Sequence, residues 1–323
     1  MSRQLPDGGK LGARLREHDL TAAPAVLNLL ESRVPNSRAQ ADALLAAVSP
    51  AALGGEAPGH IIGVTGPPGV GKSSLLSRLA AEFRARGRTV AMLAVDPTSK
   101  RSGGALLGDR ARIDVDPADY GVFIRSSAAG DRVGGLAPAT RAAAAALSVA
   151  FDVVVIETVG VGQSETDVAD VADTVAVVVQ PASGDVLQFL KAGIMEIPDV
   201  LVVTKSDLGR VAERAVADLR ASLRALGSAD TPVVPVSSLA PSTGVAELVD
   251  ALDAHRERLE LPARRLRARR MHALADFTAE HGERGLRSLG GRRAAERWLD
   301  SQDPALDIPS LLEGLEGKAA EAR

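Results

Sequence analysis

No cysteine occurs anywhere in this sequence, which excludes disulfides, thiolate zinc sites, iron–sulfur clusters and cysteine nucleophiles together. Aromatic residues are nearly absent too, at 2% of a chain that is 46% hydrophobic. Any core must therefore be assembled from Ala, Val, Leu and Ile, and the stacking platforms on which single-stranded nucleic acids are held are scarce. A formal net charge of −3 gives no general attraction to polyanions. No apolar run approaches the roughly eighteen residues of a membrane span, and the opening "MSRQLPDGGKLGARLREHD" lacks the apolar core of a signal peptide. The expectation is a soluble, cytoplasmic protein without membrane or nucleic-acid partners.

What is present is organised in three stretches. Residues 1–58 carry apolar positions at helical spacing, as in "AAPAVLNLLESRV" and "AQADALLAAV", and end in the loop-like "SPAALGGEAPG", which predicts a helical arm and a linker. From 59 to 258 the texture changes to short β-branched runs separated by helical stretches: "IIGVT", "TVAMLAV", "YGVFIR", "DVVVIE", "TVAVVVQ", "DVLVVT" and "TPVVPVS". Continuous apolar strands alternating with helices predict an α/β fold, a mostly parallel sheet covered on both faces. Residues 259–323 read as charged helices, a C-terminal appendage.

The most specific feature is Gly66-Pro67-Pro68-Gly69-Val70-Gly71-Lys72-Ser73, which fits G-x-x-x-x-G-K-[ST] without a mismatch. It follows the strand "HIIGVT" and opens a helix at Ser74, the context that a phosphate-binding P-loop requires. Glycines let backbone N–H groups close around phosphate oxygens, and the helix N-terminus adds its positive dipole end. Lys72 is then expected to reach the β and γ phosphates, and the Ser73 hydroxyl to ligate Mg²⁺.

Two further strands finish in acids, "VAMLAVD" at Asp96 and "VVVIE" at Glu157. In such sheets the carboxyl ends of strands beside the phosphate loop surround the ligand, so both are candidates to order the metal and its waters. Glu157-Thr158-Val159-Gly160 occupies the place of a D-x-x-G element, whose glycine N–H senses the γ-phosphate. The bland alternative makes Glu157 the cap of the next helix. Val161 follows Gly160, where small GTPases place a water-orienting glutamine, so slow intrinsic hydrolysis is expected. Thr204-Lys205-Ser206-Asp207 matches the [NT]-K-x-D pattern for guanine: the Asp207 carboxylate accepts from N1–H and N2–H₂, and Lys205 lays its stem across the base. Thr204 keeps a hydroxyl but loses the amide that asparagine would offer. Pro235 to Ser238 follows, with Ser237 and Ser238 placed to back the guanine carbonyl through main-chain N–H groups.

These blocks, with "LAVDPTSKRSGGALLGDRARI", "FIRSSAAGDRVGGLA" and "SGDVLQFLKAGIMEIPDVLVV", resemble the MeaB/ArgK family of P-loop GTPases, chaperones of adenosylcobalamin-dependent acyl-CoA mutases of the methylmalonyl-CoA mutase type. The resemblance covers about residues 60 to 208. It implies a homodimeric, Mg²⁺-dependent GTPase, cycling between GTP and GDP, that gates cofactor loading and protects a mutase. It also implies that Asp96 and Asp109 belong to the Mg²⁺ and first-switch region and Glu157 to the second switch. Asp185, Gln188 and Lys191 then belong to a third switch that meets the mutase, with Lys191 the candidate for completing the hydrolytic site. Residues 259–323 become the dimerisation region.

Other readings compete. Nickel-insertion GTPases share the architecture but carry His- and Cys-rich segments, whereas this chain has 5 histidines and no cysteine. A nucleotide-clamped binding module with negligible turnover would share every motif. The basic run Arg264 to Arg270 reads as a solvated helix face or dimer contact rather than a nucleic-acid patch, since no aromatics interleave it. His60 reads as an edge residue, and Trp298 as a packing anchor for the terminal helices.

Overall fold

The computed structural model describes residues 5–32, 34–96, 113–128, 136–158, 164–181 and 198–322, with only the backbone of 96, 127, 128 and 164–167. The chain divides into two compact units, one spanning Gly59–Leu259 and the other joining the segment up to Pro58 with that from Glu260 onward.

In the first unit seven strands form one parallel sheet: β1 (His60–Thr65), β2 (Val90–Asp96), β3 (Val122–Ala128), β4 (Val153–Thr158), β5 (Thr174–Val179), β6 (Val200–Val203) and β7 (Val233–Pro235), in the order β3-β2-β4-β1-β5-β6-β7. Successive strand residues point to opposite faces, and both faces are covered. Ile62 and Val64 of β1, Val153 and Val155 of β4, and Ala176 and Val178 of β5 pack with Leu75, Leu79, Phe83, Leu248 and Leu252. The last five lie on two helices of the same unit, α5 (Lys72–Ala85) and α9 (Val245–Glu257). Gly63 points the other way, where a side chain would come within 2.6 Å of Val168 on α7 (Ser164–Val171). Two more helices, α6 (Pro138–Leu147) and α8 (Arg210–Ala225), belong to the same unit.

Strand β1 lies at the middle of the sheet, with β4, β2 and β3 to one side and β5, β6 and β7 to the other. The connections diverge at its carboxyl end, where an open parallel sheet leaves a crevice. At the opposite edge the beginning of β1 is held by a polar chain. His60 Nε2 lies 2.8 Å from Thr174 Oγ1, which lies 2.9 Å from Nδ1 of His255 on α9; His255 Nε2 is 3.1 Å from Asp199 Oδ1. A hydroxyl has one hydrogen, so Thr174 donates to one imidazole and accepts from the other. His60 is thus no edge residue. It is the fully buried first residue of the central strand.

The second unit is helical. α1 (Gly8–Arg16), α2 (Ala23–Leu30), α3 (Ser37–Ala47) and the single turn α4 (Pro50–Leu53) come from the start of the chain. α10 (Leu261–Ser288), α11 (Arg292–Asp300) and α12 (Ile308–Glu321) come from its end. Leu274, Phe277, Leu286, Leu299, Leu311 and Leu315 form the core of the latter group, with Trp298 packed on it. The Trp298 ring lies over Gly314, where a side chain would meet it at 2.5 Å. The two chain ends are joined directly. Arg269 of α10 grips Glu56 at 2.9 Å, Arg265 donates to the Ala57 carbonyl at 2.6 Å, and Ala51 N–H donates to the Ala305 carbonyl. Arg270 contacts Asp300 at 3.1 Å. Arg265, Arg269 and Arg270 of the basic run are therefore bound inside their own unit, where a solvated helix face or a dimer contact is the expectation from sequence.

Candidate functional site: a phosphate loop beside a base-recognition segment

The loop from Gly66 to Gly71 connects the carboxyl end of β1 to the first residue of α5. Gly66 takes φ 145°, and a Cβ there would sit 2.1 Å from the Val178 carbonyl oxygen of β5; only glycine lets the loop pass over the neighbouring strand. Gly71, at φ 97°, is the N-cap of α5 and brings no capping side chain, and no acid lies in the first turn. The first-turn amides thus face outward at the positive end of the helix dipole, an arrangement that favours an anion. Lys72 is 8% exposed, and its ammonium group bends back to donate to the carbonyls of Gly66 at 2.6 Å and Pro67 at 3.1 Å. Pro68, Gly69 and Ser74 are exposed, Ser73 half-buried, and Val70 buried beneath the loop. One turn along α5, Ser77 donates to the Ser73 carbonyl and accepts from the Asp114 amide at 2.9 Å.

Two parallel strands bring acids toward this loop. Glu157 is 6% exposed and lies opposite Val64 in β1 and Ala94 in β2. It shares the face of Val153 and Val155, which packs on α5. Because β4 runs on through Thr158 and α7 starts only at Ser164, Glu157 is a strand residue, and the capping alternative does not apply. Asp96 ends β2, in register with Ala128 of β3. Sequence reading missed a pin between the two strands beside the loop, the 2.8 Å bond from Thr158 Oγ1 to Thr65 Oγ1. Both residues sit at strand ends, yet no linear motif marks the pair.

The segment Thr204–Asp207 follows β6 and is tied to three other parts of the unit. Thr204, buried, donates from Oγ1 to the Val70 carbonyl of the phosphate loop at 2.6 Å. Its hydroxyl thus binds the loop, and not the base contact for which asparagine would offer an amide. Lys205, at φ 55° in the left-handed region, donates from Nζ to Gln180 Oε1. Asp207 Oδ1 accepts from Ser237 Oγ at 2.7 Å, and Ser237 Oγ accepts from the Leu239 amide. Arg78 of α5 donates to the Ser238 carbonyl at 2.9 Å. Phosphate loop, Thr204–Asp207 and Ser237–Ser238 are thereby joined in one hydrogen-bonded assembly. Of these partners Gln180 was not singled out from sequence, because a glutamine closing an apolar strand carries no pattern of its own. A cleft of ≈ 510 Å³ lies behind Ser206, lined by Val216, Arg220, Pro235 and Glu247. It touches the base segment at Ser206 but contains none of the phosphate-loop residues. Asp109, Gly160, Asp185, Gln188 and Lys191 lie outside the described residues, as does the side chain of Asp96.

Comparison with known proteins identifies the family. Residues 23–284 match the model of the methylmalonyl Co-A mutase-associated GTPase MeaB. A Pyrococcus abyssi protein named as a GTPase is 41% identical over 265 residues, covering 80% of this chain and 78% of its own. The methylmalonic aciduria type A homolog of Caenorhabditis elegans, a mitochondrial protein, is 40% identical over 210 residues, which are 62% of this chain and 53% of that one. The crystal structure of a LAO/AO transport system kinase superposes with a TM-score of 0.65 at 25% identity, covering 98% of this chain and 99% of that one.

Proposed function

Since this chain is a GTPase of the methylmalonyl Co-A mutase-associated MeaB family, we propose that it acts, with Mg²⁺, as a chaperone that gates cofactor loading into an adenosylcobalamin-dependent acyl-CoA mutase and protects that enzyme. The observation that carries this reading is the family match across residues 23–284, which takes in the phosphate loop, both acidic strand ends and the base segment. The similarity to the methylmalonic aciduria type A homolog supports the mutase as client. The protein would work in the cytoplasm as a homodimer, through the segment 259–323.

Phosphoryl transfer depends on positioning and charge neutralisation more than on covalent help. The backbone N–H groups of Gly69 to Ser73 receive the phosphates, and Lys72 turns from the Gly66 and Pro67 carbonyls to the β and γ oxygens. Ser73, Asp96, Asp109 and Glu157 would hold the metal, since a hydroxyl and carboxylates are the donors that suit a hard cation such as Mg²⁺. The ion, when bound, supplies charge neutralisation at the phosphates. Glu157 orders water at the γ-phosphate, and the Gly160 amide senses that group. Lys191, with Asp185 and Gln188, belongs to the segment that meets the client and completes the site. Thr204 ties the base segment to the phosphate loop, so base and phosphates are read by one connected frame.

The test is GTP turnover by parent and Glu157→Ala, each with and without an adenosylcobalamin-dependent acyl-CoA mutase. Slow turnover by the parent alone and at least tenfold acceleration by the mutase are expected. Glu157→Ala should keep nucleotide affinity within about tenfold, or 1.4 kcal/mol, and turn over poorly in both conditions. A parent rate indifferent to the mutase would remove the chaperone reading and leave the GTPase.

A further inference from the structure

Three of the four side chains of the base segment, Thr204, Lys205 and Asp207, are held by other parts of the fold. Val70 holds Thr204 and Ser237 holds Asp207, and both partners belong to recognised motifs. Lys205 is held by Gln180, which belongs to none. Gln180 is the residue after β5, half-buried, and sits where the sheet edge meets the base segment. Lysine has only donors to offer, so its partner must be the amide oxygen of the glutamine.

An exposed lysine on a turn ordinarily samples many rotamers, and ordering its side chain costs up to about 2 kcal/mol. Here the backbone is already fixed in the left-handed region and the far end of the side chain is anchored, so the methylene stem between them is held at both ends. We propose that Gln180 is a positioning residue for guanine-nucleotide recognition: it keeps the Lys205 stem in the plane against which the purine ring is laid. It touches the lysine and not the base. This rests on the reading of Thr204–Asp207 as the guanine site. Base identity, read by Asp207, is independent of Gln180; retention of the nucleotide is not.

The experiment is dissociation of a fluorescent GDP analogue, measured by stopped flow on the full chain for parent, Gln180→Ala, Gln180→Glu, Lys205→Ala and the double variant Gln180→Ala/Lys205→Ala. Gln180→Ala should release the analogue about fivefold to tenfold faster. Gln180→Glu, whose carboxylate accepts the same N–H with charge assistance, should match the parent or release more slowly. In the Lys205→Ala background, Gln180→Ala should add less than about a factor of two, the non-additivity expected of residues acting as one unit. Competition between GDP and XDP should be unaltered by Gln180→Ala. An unchanged release rate in Gln180→Ala, an equal loss in the Lys205→Ala background, or a Gln180→Glu variant as impaired as Gln180→Ala would each overturn the proposal. If the parent itself fails to prefer GDP over ADP, the guanine reading falls and this inference with it. A selective parent with an inert Gln180→Ala overturns this inference alone.

Discussion

Asp207 is where the base assignment meets its sharpest test. Ser237 Oγ accepts from the Leu239 amide, so its hydrogen points at Asp207 Oδ1. In Asp207→Asn the remaining side-chain oxygen takes that hydrogen, and the amide nitrogen turns toward the base. A donor then opposes the guanine N1–H and N2–H₂ donors but suits the C2 carbonyl of xanthine. We expect GTP affinity to fall about a hundredfold, or 2.7 kcal/mol, and XTP to gain, read by competition among GTP, XTP and ATP. Unaltered GTP binding would make Thr204–Asp207 an ordinary turn. The order of these residues along the chain suggested their chemistry, because motif spacing is local. What holds each of them was not legible. Val70 is 134 positions from Thr204, and Thr65 is 93 from Thr158; such contacts exist only once the sheet has brought strand ends together.

At the scale of elements, the strands were the most readable part, since a parallel sheet buried on both faces requires unbroken apolar runs. The run "YGVFIR" is an instructive departure. Its tyrosine is 89% exposed and precedes β3, which starts at Val122. Arg84, near the end of α5, occupies the space above Gly121 and reaches Asp119 at 2.8 Å, while the Gly121 amide donates to the same carboxylate. Asp119 to Gly121 is therefore a clamped turn. Arg84, and then the Gly121 amide, hold the Asp119 carboxyl below its ordinary value. A lowered value in the folded state means that the clamp is complete above the ordinary carboxylate pKa of about 3.9 and is lost as pH falls through the lowered value. Asp119→Asn should cost about 1 kcal/mol at pH 7. In thermal melts from pH 7 to 3, the gap between parent and variant should close toward the acid end.

At the scale of the molecule, a linear reading gave two helical appendages, whereas the two ends of the chain form one compact unit. Amphipathic spacing shows that a helix buries one face; it does not say against which helix. Asp42 of α3 carries a mark of that union. Burial raises its carboxyl above the ordinary value, Arg38 opposes this, and Asp307 and Glu313 from the far end of the chain add to it. A raised value in the folded state means that the ionised carboxylate weakens the unit at neutral pH, and the penalty disappears as pH falls through the raised value. Asp42→Asn should therefore melt about 2–4 °C higher than the parent at pH 7, with the advantage vanishing near pH 3. A variant that is less stable at pH 7 would contradict this electrostatic account.

The union of the two ends also sets a timetable for biosynthesis. Helices α1 to α4 leave the ribosome before the GTPase unit, yet the residues that bind Glu56, Ala57 and Ala51 are made only after it. At about 5–20 residues per second, the roughly two hundred intervening residues impose a wait of some 10–40 s. Throughout that interval Leu15, Val26, Leu27 and Leu44, fully buried in the finished protein, lack the helices made last, whereas all seven strands of the sheet lie before Leu259. A separate fragment 59–259 should accordingly fold and bind guanine nucleotide, as circular dichroism and titration would register. A fragment 1–259 should instead be a client of holding chaperones. An arrest late in translation would thus release a nucleotide-competent switch still carrying a sticky, unfinished handle.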